Sequence, residues 1–285
     1  MKEKFSLKDE LFNTAKVQKI AREIKAVYPD FDQKEFEFNT VEQFPNLELK
    51  ERMYHIRDML AGYLPRDYKE AVDILLKALP SELNTNKYDN DFGDFIYASY
   101  SEYIATFGCN REVLYFSLQA LREITKRFSV EFAMRDFINT YPEETFQMLK
   151  ACSLSDNYHE RRLASEALRP KLPWAKKINT EYDKAILILD NIFYDKARYV
   201  TRSVANHLND ISKIDEALVM ATLKRWKASE KQNNKEMEYI ITHALRTLIK
   251  QGNEKALLLL GIKKIQIYCF QILLSIKMKY LWENR

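Results

Sequence analysis

The sequence predicts an all-α protein, an α-solenoid of HEAT-like helical repeats, and three observations support this fold class. Only 5 of the 285 residues are Gly and 7 are Pro, too few for the turns of a sheet-rich fold. Apolar residues recur at helical spacing along most of the chain. Two segments, 162–168 and 202–208, align at an offset of 40, with their arginines, small or branched residues and leucines in the same places. A period near 40 residues is typical of HEAT-type repeats, whose stacked helix pairs share one continuous core.

The same register extends in both directions along the chain. The corresponding positions are Arg122, Ile124 and Phe128 on the N-terminal side and Thr242, Ala244 and Leu248 on the C-terminal side. We therefore expect one domain over residues 1–262, with a helical N-terminal part over 1–90 and repeats over 91–262. A helical tail is expected over residues 263–285.

The N-terminal part is predicted to be helical from its start. Ser6 with Asp9 three residues later resembles a capping box, and apolar positions at helical spacing continue to residue 27. Asp32 begins a second, short helix. Apolar faces predict two more helices, over residues 49–64 and 68–79. Residues 81–90 are polar and form the candidate linker.

The repeat region begins with an aromatic-rich helix that is predicted to end near Gly108, where a left-handed C-cap glycine belongs. Its aromatic side chains, at helical spacing, are expected in the core. The helices that follow are predicted in pairs over residues 111–127 and 130–139, 142–154 and 158–168, 182–193 and 199–208, and 215–226 and 236–250. A last short helix is predicted between Gly252 and Gly261.

The net charge of +4 conceals a difference between the two parts of the chain. Residues 1–110 carry 15 Lys and Arg against 20 Asp and Glu, a net of −5, so residues 111–285 carry 30 against 21, a net of +9. A basic repeat region favours a polyanionic partner, of which nucleic acid is the commonest. A well-solvated helical surface explains the charge equally well.

Several classes of site are excluded by spacing. Three cysteines without a CxxC pair indicate a reducing cytosol, and four histidines without ligand spacing predict no metal site. No phosphate-binding glycine motif is present, so no nucleotide cofactor is expected. The N-terminus lacks a signal peptide, and the longest apolar run falls short of the ~20 residues of a membrane span. We therefore expect a cytoplasmic protein without cofactors.

Five segments together resemble one known family. They read FSLKD at 5–9, AVYPDF at 26–31, LREITKRFS at 121–129, RRLASE at 161–166 and SVANHLND at 203–210. These phrases look like the AlkC branch of the bacterial AlkC/AlkD DNA alkylation-repair glycosylases, and the likeness covers residues 5–262. It implies HEAT-like repeats and excision of 3-methyladenine and 3-methylcytosine from DNA in base excision repair. It also implies a monofunctional enzyme that uses no Schiff-base lysine.

The resemblance points to specific residues. A cationic alkylated base leaves readily, so the enzyme must stabilise a positively charged sugar and position a water, which carboxylates can do. Asp210 is implied to activate the water, and Glu166 and Glu131 match the other two active-site carboxylates. Trp174 matches an aromatic contact to the lesion nucleotide, and Arg162 a basic residue near the sugar and phosphate.

Without the resemblance, these residues have ordinary structural explanations. Asp210 at a helix end could cap the next turn. Arg162 and Glu166 share a helix face at i, i+4 and could form a surface ion pair worth at most ~1 kcal/mol. A HEAT-repeat scaffold that does no chemistry, or a protein that binds damage without cutting, therefore stays open as an alternative function.

The expected partner is double-stranded DNA containing alkylated bases, bound by a monomer along the concave face of the solenoid. Contacts to phosphate are expected from six basic residues: Arg122, Lys126, Arg127, Arg162, Arg202 and Arg246. Members of the AlkC branch often continue into an immunoglobulin-like domain. Nothing after residue 262 has the alternating strands and turns of such a domain, so none is expected in this chain.

Overall fold

The computed structural model describes residues 6–84, 89, 92–178 and 181–262, and within these ranges the protein is helical without a β-strand. This confirms the predicted all-α class. The first eight helices are α1 (Leu7–Leu11), α2 (Thr14–Val27), α3 (Gln33–Glu42), α4 (Leu49–Tyr63), α5 (Tyr68–Lys77), α6 (Ala98–Gly108), α7 (Leu114–Ile124) and α8 (Glu131–Thr140). The next eight are α9 (Pro142–Cys152), α10 (Tyr158–Glu166), α11 (Tyr182–Ile192), α12 (Arg198–Ile211), α13 (Glu216–Ser229), α14 (Asn234–Ala244), α15 (Arg246–Lys250) and α16 (Glu254–Leu259).

The helices pack as two layers, as a solenoid of helical repeats requires. In one layer α4 packs on α6 and α6 on α8, and further along the chain α10 packs on α12 and α12 on α14. In the other layer α5 packs on α7 and α7 on α9. Consecutive helices cross between the layers, for example α6 to α7 and α10 to α11. Corresponding positions of neighbouring repeats are therefore brought side by side.

Polar contacts between repeats follow the predicted period. Ser203 Oγ lies 2.9 Å from Ser165 Oγ, and the Asn191 amide donates to Ser153, also at 2.9 Å, both across an offset of 38 residues. The extension of the register to Arg122 is wrong, however. Arg122 lies on α7, whereas Arg162 and Arg202 lie on α10 and α12 of the other layer. The turns that connect α7, α8 and α9 are short, so this repeat is shorter than 40 residues.

The predicted N-terminal helix is broken into α1 and α2. Phe12 is fully buried in extended backbone, and the Asn13 side chain caps the new helix by accepting from the Lys16 amide at 3.0 Å. Ser6 precedes α1, but its side chain makes no capping hydrogen bond. Asp32 caps α3 as predicted, accepting from the Glu35 amide at 3.1 Å.

The described residues on either side of the predicted linker are attached to the repeats. The Leu83 amide donates to the Lys126 carbonyl at 3.0 Å, and Gly93 forms a bridge with Phe128. Gly93 has a φ of +74°, and an added Cβ would lie 1.8 Å from the Arg127 carbonyl oxygen, so only glycine fits there. The predicted tail over 263–285 lies outside the described residues.

The core consists of two hydrophobic clusters. The first takes its buried side chains mainly from α2 through α10, and the second mainly from α11 through α16. Tyr97, Tyr100 and Tyr103 are buried in the first cluster, as the aromatic stripe predicted. Of the helices that the structure describes, none is long and apolar enough to cross a lipid bilayer.

The role of Gly108 differs from the predicted one. It is the last residue of α6 and is not among the glycines with positive φ. An added Cβ would lie 1.8 Å from the Tyr68 hydroxyl and 2.4 Å from Ser117 Oγ, atoms that are themselves hydrogen-bonded at 2.7 Å. Glycine is needed at this position because Tyr68 packs directly against the backbone.

We predict that Gly108→Ala lowers the free energy of unfolding by roughly 1 to 3 kcal/mol, because the methyl group displaces the Tyr68 side chain. Gly62→Ala is the matched control, since Gly62 lies in α4 with no atom within 4 Å of the added Cβ. That variant should gain up to ~1 kcal/mol from helix propensity. Urea unfolding of both measures the difference, and equal effects would contradict the packing explanation.

Candidate active site

Three buried carboxylates converge from three helices of one layer. Glu131 is the first residue of α8, Glu166 the last of α10, and Asp210 lies in the last turn of α12. Their exposed fractions are 8%, 5% and 3%. Three acids at this depth are stable as anions only if cations and hydrogen-bond donors surround them.

Arg162 joins the first two carboxylates. Its guanidinium lies 3.5 Å from a Glu131 oxygen and 3.8 Å from a Glu166 oxygen. It also donates to the Ser129 hydroxyl, which in turn donates to Glu131. The i, i+4 pair with Glu166 is therefore a buried contact, and not the exposed ion pair that the sequence left open.

Arg169 joins the second carboxylate to the third. Its Nη1 donates to Glu166 Oε1 at 2.6 Å, and its Nε donates to Asp210 Oδ2 at 2.9 Å. Arg169 is not among the residues expected from the sequence. The available signal was its spacing, because a basic residue three positions after Glu166 lies on the same side of the helix end.

The charges of this cluster determine its protonation. Burial opposes ionisation of Glu166, but Arg162, Arg169 and a hydrogen bond from Ser203 outweigh burial and hold the pKa of Glu166 below its usual value. Burial likewise opposes the charge on Arg162, yet Glu131 and Glu166 raise its pKa above the ordinary arginine value. Glu166 and the two arginines therefore stay ionised together at neutral pH.

Two aromatic rings cover the Arg162 guanidinium. Its central carbon lies 4.5 Å from the ring centroid of Tyr199 and 5.5 Å from that of Phe92. The two rings meet edge to face at 5.2 Å, and Phe92 is 48% exposed while the Arg162 side chain is 7% exposed. Phe92 thus stands between Arg162 and solvent and favours the buried ion pair.

The segment after α10 is held to α8 by a buried arginine. Arg135 is 1% exposed and donates to the backbone carbonyls of Arg169 at 2.6 Å and Lys176 at 2.7 Å. Asn139, one turn further along α8, donates to the Lys177 carbonyl at 3.0 Å. Burial and the charge of Arg169 lower the pKa of Arg135 to about 10, so it remains charged at neutral pH.

Trp174 lies in this same segment. It is 64% exposed, with a left-handed φ of +64°. Its backbone carbonyl accepts a hydrogen bond from Lys50. Trp174, Glu102 and Phe132 line the same cavity. Trp174 is thus accessible to a ligand, on the chain segment that begins at Arg169. Its role as a lesion contact stays a prediction.

Three of the expected phosphate contacts are occupied by acidic side chains. Arg122 pairs with the buried Glu160 at 2.6 Å, and Lys126 with Glu123 at 2.8 Å. Arg127 pairs with Glu123 and donates to the Pro80 carbonyl at 3.1 Å. These cations hold α7 to α10 and to residue 80. Their part in DNA binding stays a prediction, and it would require exchange of these partners.

The other expected phosphate contacts differ from one another. Arg162 belongs to the carboxylate cluster, and Arg202 pairs with Asp89 at 2.6 Å. Arg246 donates to the His243 carbonyl at 2.6 Å and has no carboxylate within 4 Å in the part of the chain that the structure describes. Burial lowers the pKa of Arg246, although nearby Asp210 opposes this effect. Arg246 is therefore the best placed of the six for an incoming phosphate.

His207 lies in α12, three residues before Asp210. It is fully buried, and its Nδ1 lies 3.0 Å from the Ser165 carbonyl. Burial and the charge of Arg169 lower the pKa of His207 to about 3. It is a neutral donor at physiological pH. Within the described ranges, no group of three or more His, Cys, Asp or Glu side chains has the geometry of a metal site.

Known proteins share this arrangement of helices. The solved structure of Pseudomonas fluorescens alkylpurine DNA glycosylase AlkC, bound to DNA containing an abasic site analog, superimposes with a TM-score of 0.77. It is 34% identical in sequence, and the match covers 90% of this chain and 68% of that one. The uncharacterised protein YhaZ of Bacillus subtilis strain 168 is 33% identical over 256 residues, which are 88% of this chain and 67% of YhaZ.

No protein-family profile matches the sequence. The helical-repeat fold and the two comparisons place the chain in a class of helical-repeat proteins that includes a DNA glycosylase. Within that class the chain belongs to the AlkC family. It spans about two thirds of the length of both relatives.

We predict that Arg169→Gln lowers the free energy of unfolding by roughly 3 to 5 kcal/mol, because it leaves two buried carboxylates without their shared cation. Adding Asp210→Asn should restore part of the loss, since one of those charges is then removed. Arg202→Gln is the control, because its pair with Asp89 is partly exposed and worth at most ~1 kcal/mol. Denaturant unfolding of the single and double variants measures the coupling, and strictly additive effects would argue against the shared contact.

A second prediction concerns the pH dependence of stability. An unfolded histidine takes up a proton near its ordinary pKa of 6.5, whereas His207 in the folded protein does so only near 3, so protons favour unfolding between these values. As the pH falls below 6.5, the free energy of unfolding should fall by about 1.4 kcal/mol per pH unit because of His207. His243, with its pKa lowered to about 4, acts in the same direction.

The test compares urea unfolding of the wild type and of His207→Asn at several pH values between 6.5 and 4.5. The upper limit is the ordinary pKa of histidine. In the variant, the free energy of unfolding should depend less steeply on pH because the contribution of His207 is absent. The contribution of His243 should remain. If the slopes of wild type and variant coincide, His207 is not the neutral buried group described above.

Proposed function

We propose that the protein is a DNA glycosylase that hydrolyses the N-glycosidic bond of cationic alkylated bases, with 3-methyladenine and 3-methylcytosine as substrates. The observation that supports this most directly is the convergence of Glu131, Glu166 and Asp210 around Arg162 and Arg169. Membership of the AlkC family, whose solved member is an alkylpurine DNA glycosylase, supports the same activity.

The two Asp210 oxygens have different surroundings, which suggests the atom that receives a proton. Oδ2 takes both contacts from Arg169, at 2.9 Å each. Among the described residues, Oδ1 is paired with Lys213 alone, at 3.5 Å, so its lone pairs are the more available. We assign Oδ1 as the acceptor for the attacking water, with Arg169 holding the carboxylate in its orientation.

The proposed reaction follows from the charges. The bond between the sugar carbon and the base nitrogen breaks, and its electron pair neutralises the cationic base. The positive charge passes to the sugar, where the carboxylates stabilise it. Water then bonds to the sugar carbon and gives its proton to Asp210. The products are a neutral base and an abasic sugar.

Glu131 and Glu166 are assigned an electrostatic role. Arg162, Arg169 and Lys213 contact the three carboxylates, so the formal charges of these ion pairs balance. A cationic nucleotide is attracted to the carboxylate oxygens, whereas an undamaged neutral base is not. This attraction would contribute to the discrimination between damaged and normal bases.

The finer features of the proposal are a monofunctional reaction and a monomer acting on double-stranded DNA in the bacterial cytosol, alongside the nucleoid. Water, and not a lysine, is the proposed nucleophile. Lys213 is the lysine in contact with the acids, and borohydride reduction during the reaction should therefore trap no covalent complex between Lys213 and DNA.

We predict that Asp210→Asn lowers the single-turnover rate of base release by at least roughly 100-fold, because the proton acceptor is lost. The substrate is duplex DNA treated with a methylating agent, and chromatography separates 3-methyladenine, 3-methylcytosine and 7-methylguanine. Glu143→Gln is the control, because Glu143 is an exposed acid on α9 that pairs with Lys184. This variant should release base at the wild-type rate.

The outcomes separate the proposed enzyme from its alternatives. Release by the wild type that collapses in Asp210→Asn while DNA affinity is retained supports a glycosylase. Binding of methylated DNA without release by the folded wild type would indicate a damage-binding protein. Absence of both would favour a helical-repeat scaffold.

A further inference from the structure

The segment between α10 and α11 is unusually basic. Residues 167–178, named here the lysine loop, contain four cations, Arg169, Lys171, Lys176 and Lys177, and no Asp or Glu. Arg169 is committed to Glu166 and Asp210, and Lys176 pairs with Asp136 at 2.6 Å. Lys171 and Lys177 are exposed, and neither has a carboxylate within 4 Å among the residues that the structure describes.

Unpaired cations are the ones that a phosphate can bind without competition. A phosphate that binds Arg122 or Lys126 must first displace Glu160 or Glu123. A phosphate that binds Lys171 or Lys177 displaces only water and counterions, and the release of counterions from DNA is the main source of non-specific affinity.

The lysine loop is held in place while its ammonium groups remain in solvent. Arg135 and Asn139 on α8 donate hydrogen bonds to its backbone carbonyls. Lys171, Lys176 and Lys177 line one open depression of about 490 Å³, together with apolar side chains that include Ile178 and Tyr182. A surface that combines fixed cations with apolar floor suits a sugar-phosphate chain, because deoxyribose is largely apolar.

The position of the lysine loop fixes which part of DNA it meets. The loop begins at Arg169, which touches two of the three carboxylates, and it contains the exposed Trp174. A nucleotide placed at the carboxylates would therefore continue along the same strand over the loop. An acidic protein bound to the loop would bring further negative charge close to the three carboxylates, which disfavours it as the partner.

We propose that the lysine loop is the main contact to the DNA backbone beside the lesion, with Lys171 and Lys177 as the phosphate-binding residues. This inference rests on the proposed function and adds the surface that captures the substrate. It moves DNA capture from Arg122 in α7, and from Lys126 and Arg127 just after α7, to the segment after α10.

The test measures affinity for undamaged duplex DNA by fluorescence anisotropy over roughly 50 to 200 mM salt. The double variant Lys171→Gln/Lys177→Gln should flatten the slope of log affinity against log salt by about 1.8, and each lysine should account for about an eightfold loss near 0.1 M salt. Lys171→Arg/Lys177→Arg should restore the slope. Lys184→Gln is the matched control, because Lys184 is already paired with Glu143 and Glu181.

An unchanged slope in the double variant, with wild-type binding intact, would overturn the inference and leave the proposed function standing. Failure of the wild type itself to bind DNA would instead count against the proposed function. Poly-L-glutamate is the second probe. If the wild type binds it as tightly as DNA, and the double variant loses both, the loop is a site for acidic proteins and the assignment to DNA is wrong.

Discussion

The balance between three buried carboxylates and two arginines determines the structure around the site. Glu131, Glu166 and Asp210 are each less than a tenth exposed, and Arg162 and Arg169 each contact two of them. Neither the acids nor the arginines would be stable at this depth without the others. The helix ends and the segment after α10 are consequently fixed relative to one another before any ligand arrives.

The repeat explains why much of this could be predicted from the sequence. Helices α10 and α12 occur where the 40-residue offset predicts them, and contacts between them join residues of similar offset. Ser203 reaches Glu166 across 37 residues, and Arg169 reaches Asp210 across 41. Similarity between repeats thus places Glu166 and Asp210 in neighbouring positions, where Arg169 contacts both. Their catalytic roles, by contrast, stay proposals.

The sequence could not show which charges neutralise which. Arg169 follows the end of α10, outside the aligned positions 162–168, so the 40-residue register did not select it. The acids that occupy the expected phosphate contacts include Asp89, which lies outside the helices, and Glu160, which lies in the opposite layer from Arg122. Side-chain pairing across layers depends on helix packing, and a period along the chain contains no information about it. The break at Asn13 was missed for a related reason, since a capping side chain competed with continuing apolar spacing.

The site crosses the boundary between the two hydrophobic clusters. Glu166 belongs to α10, at the end of the first cluster, and Asp210 to α12, in the second, and Arg169 connects them. A solenoid bends by small rotations between adjacent repeats. A rotation between α10 and α12 would change the separation of these two carboxylates. The curvature of the solenoid and the distance between Glu166 and Asp210 are therefore coupled. Arg169 bridges that joint, because it contacts one carboxylate on each side of it.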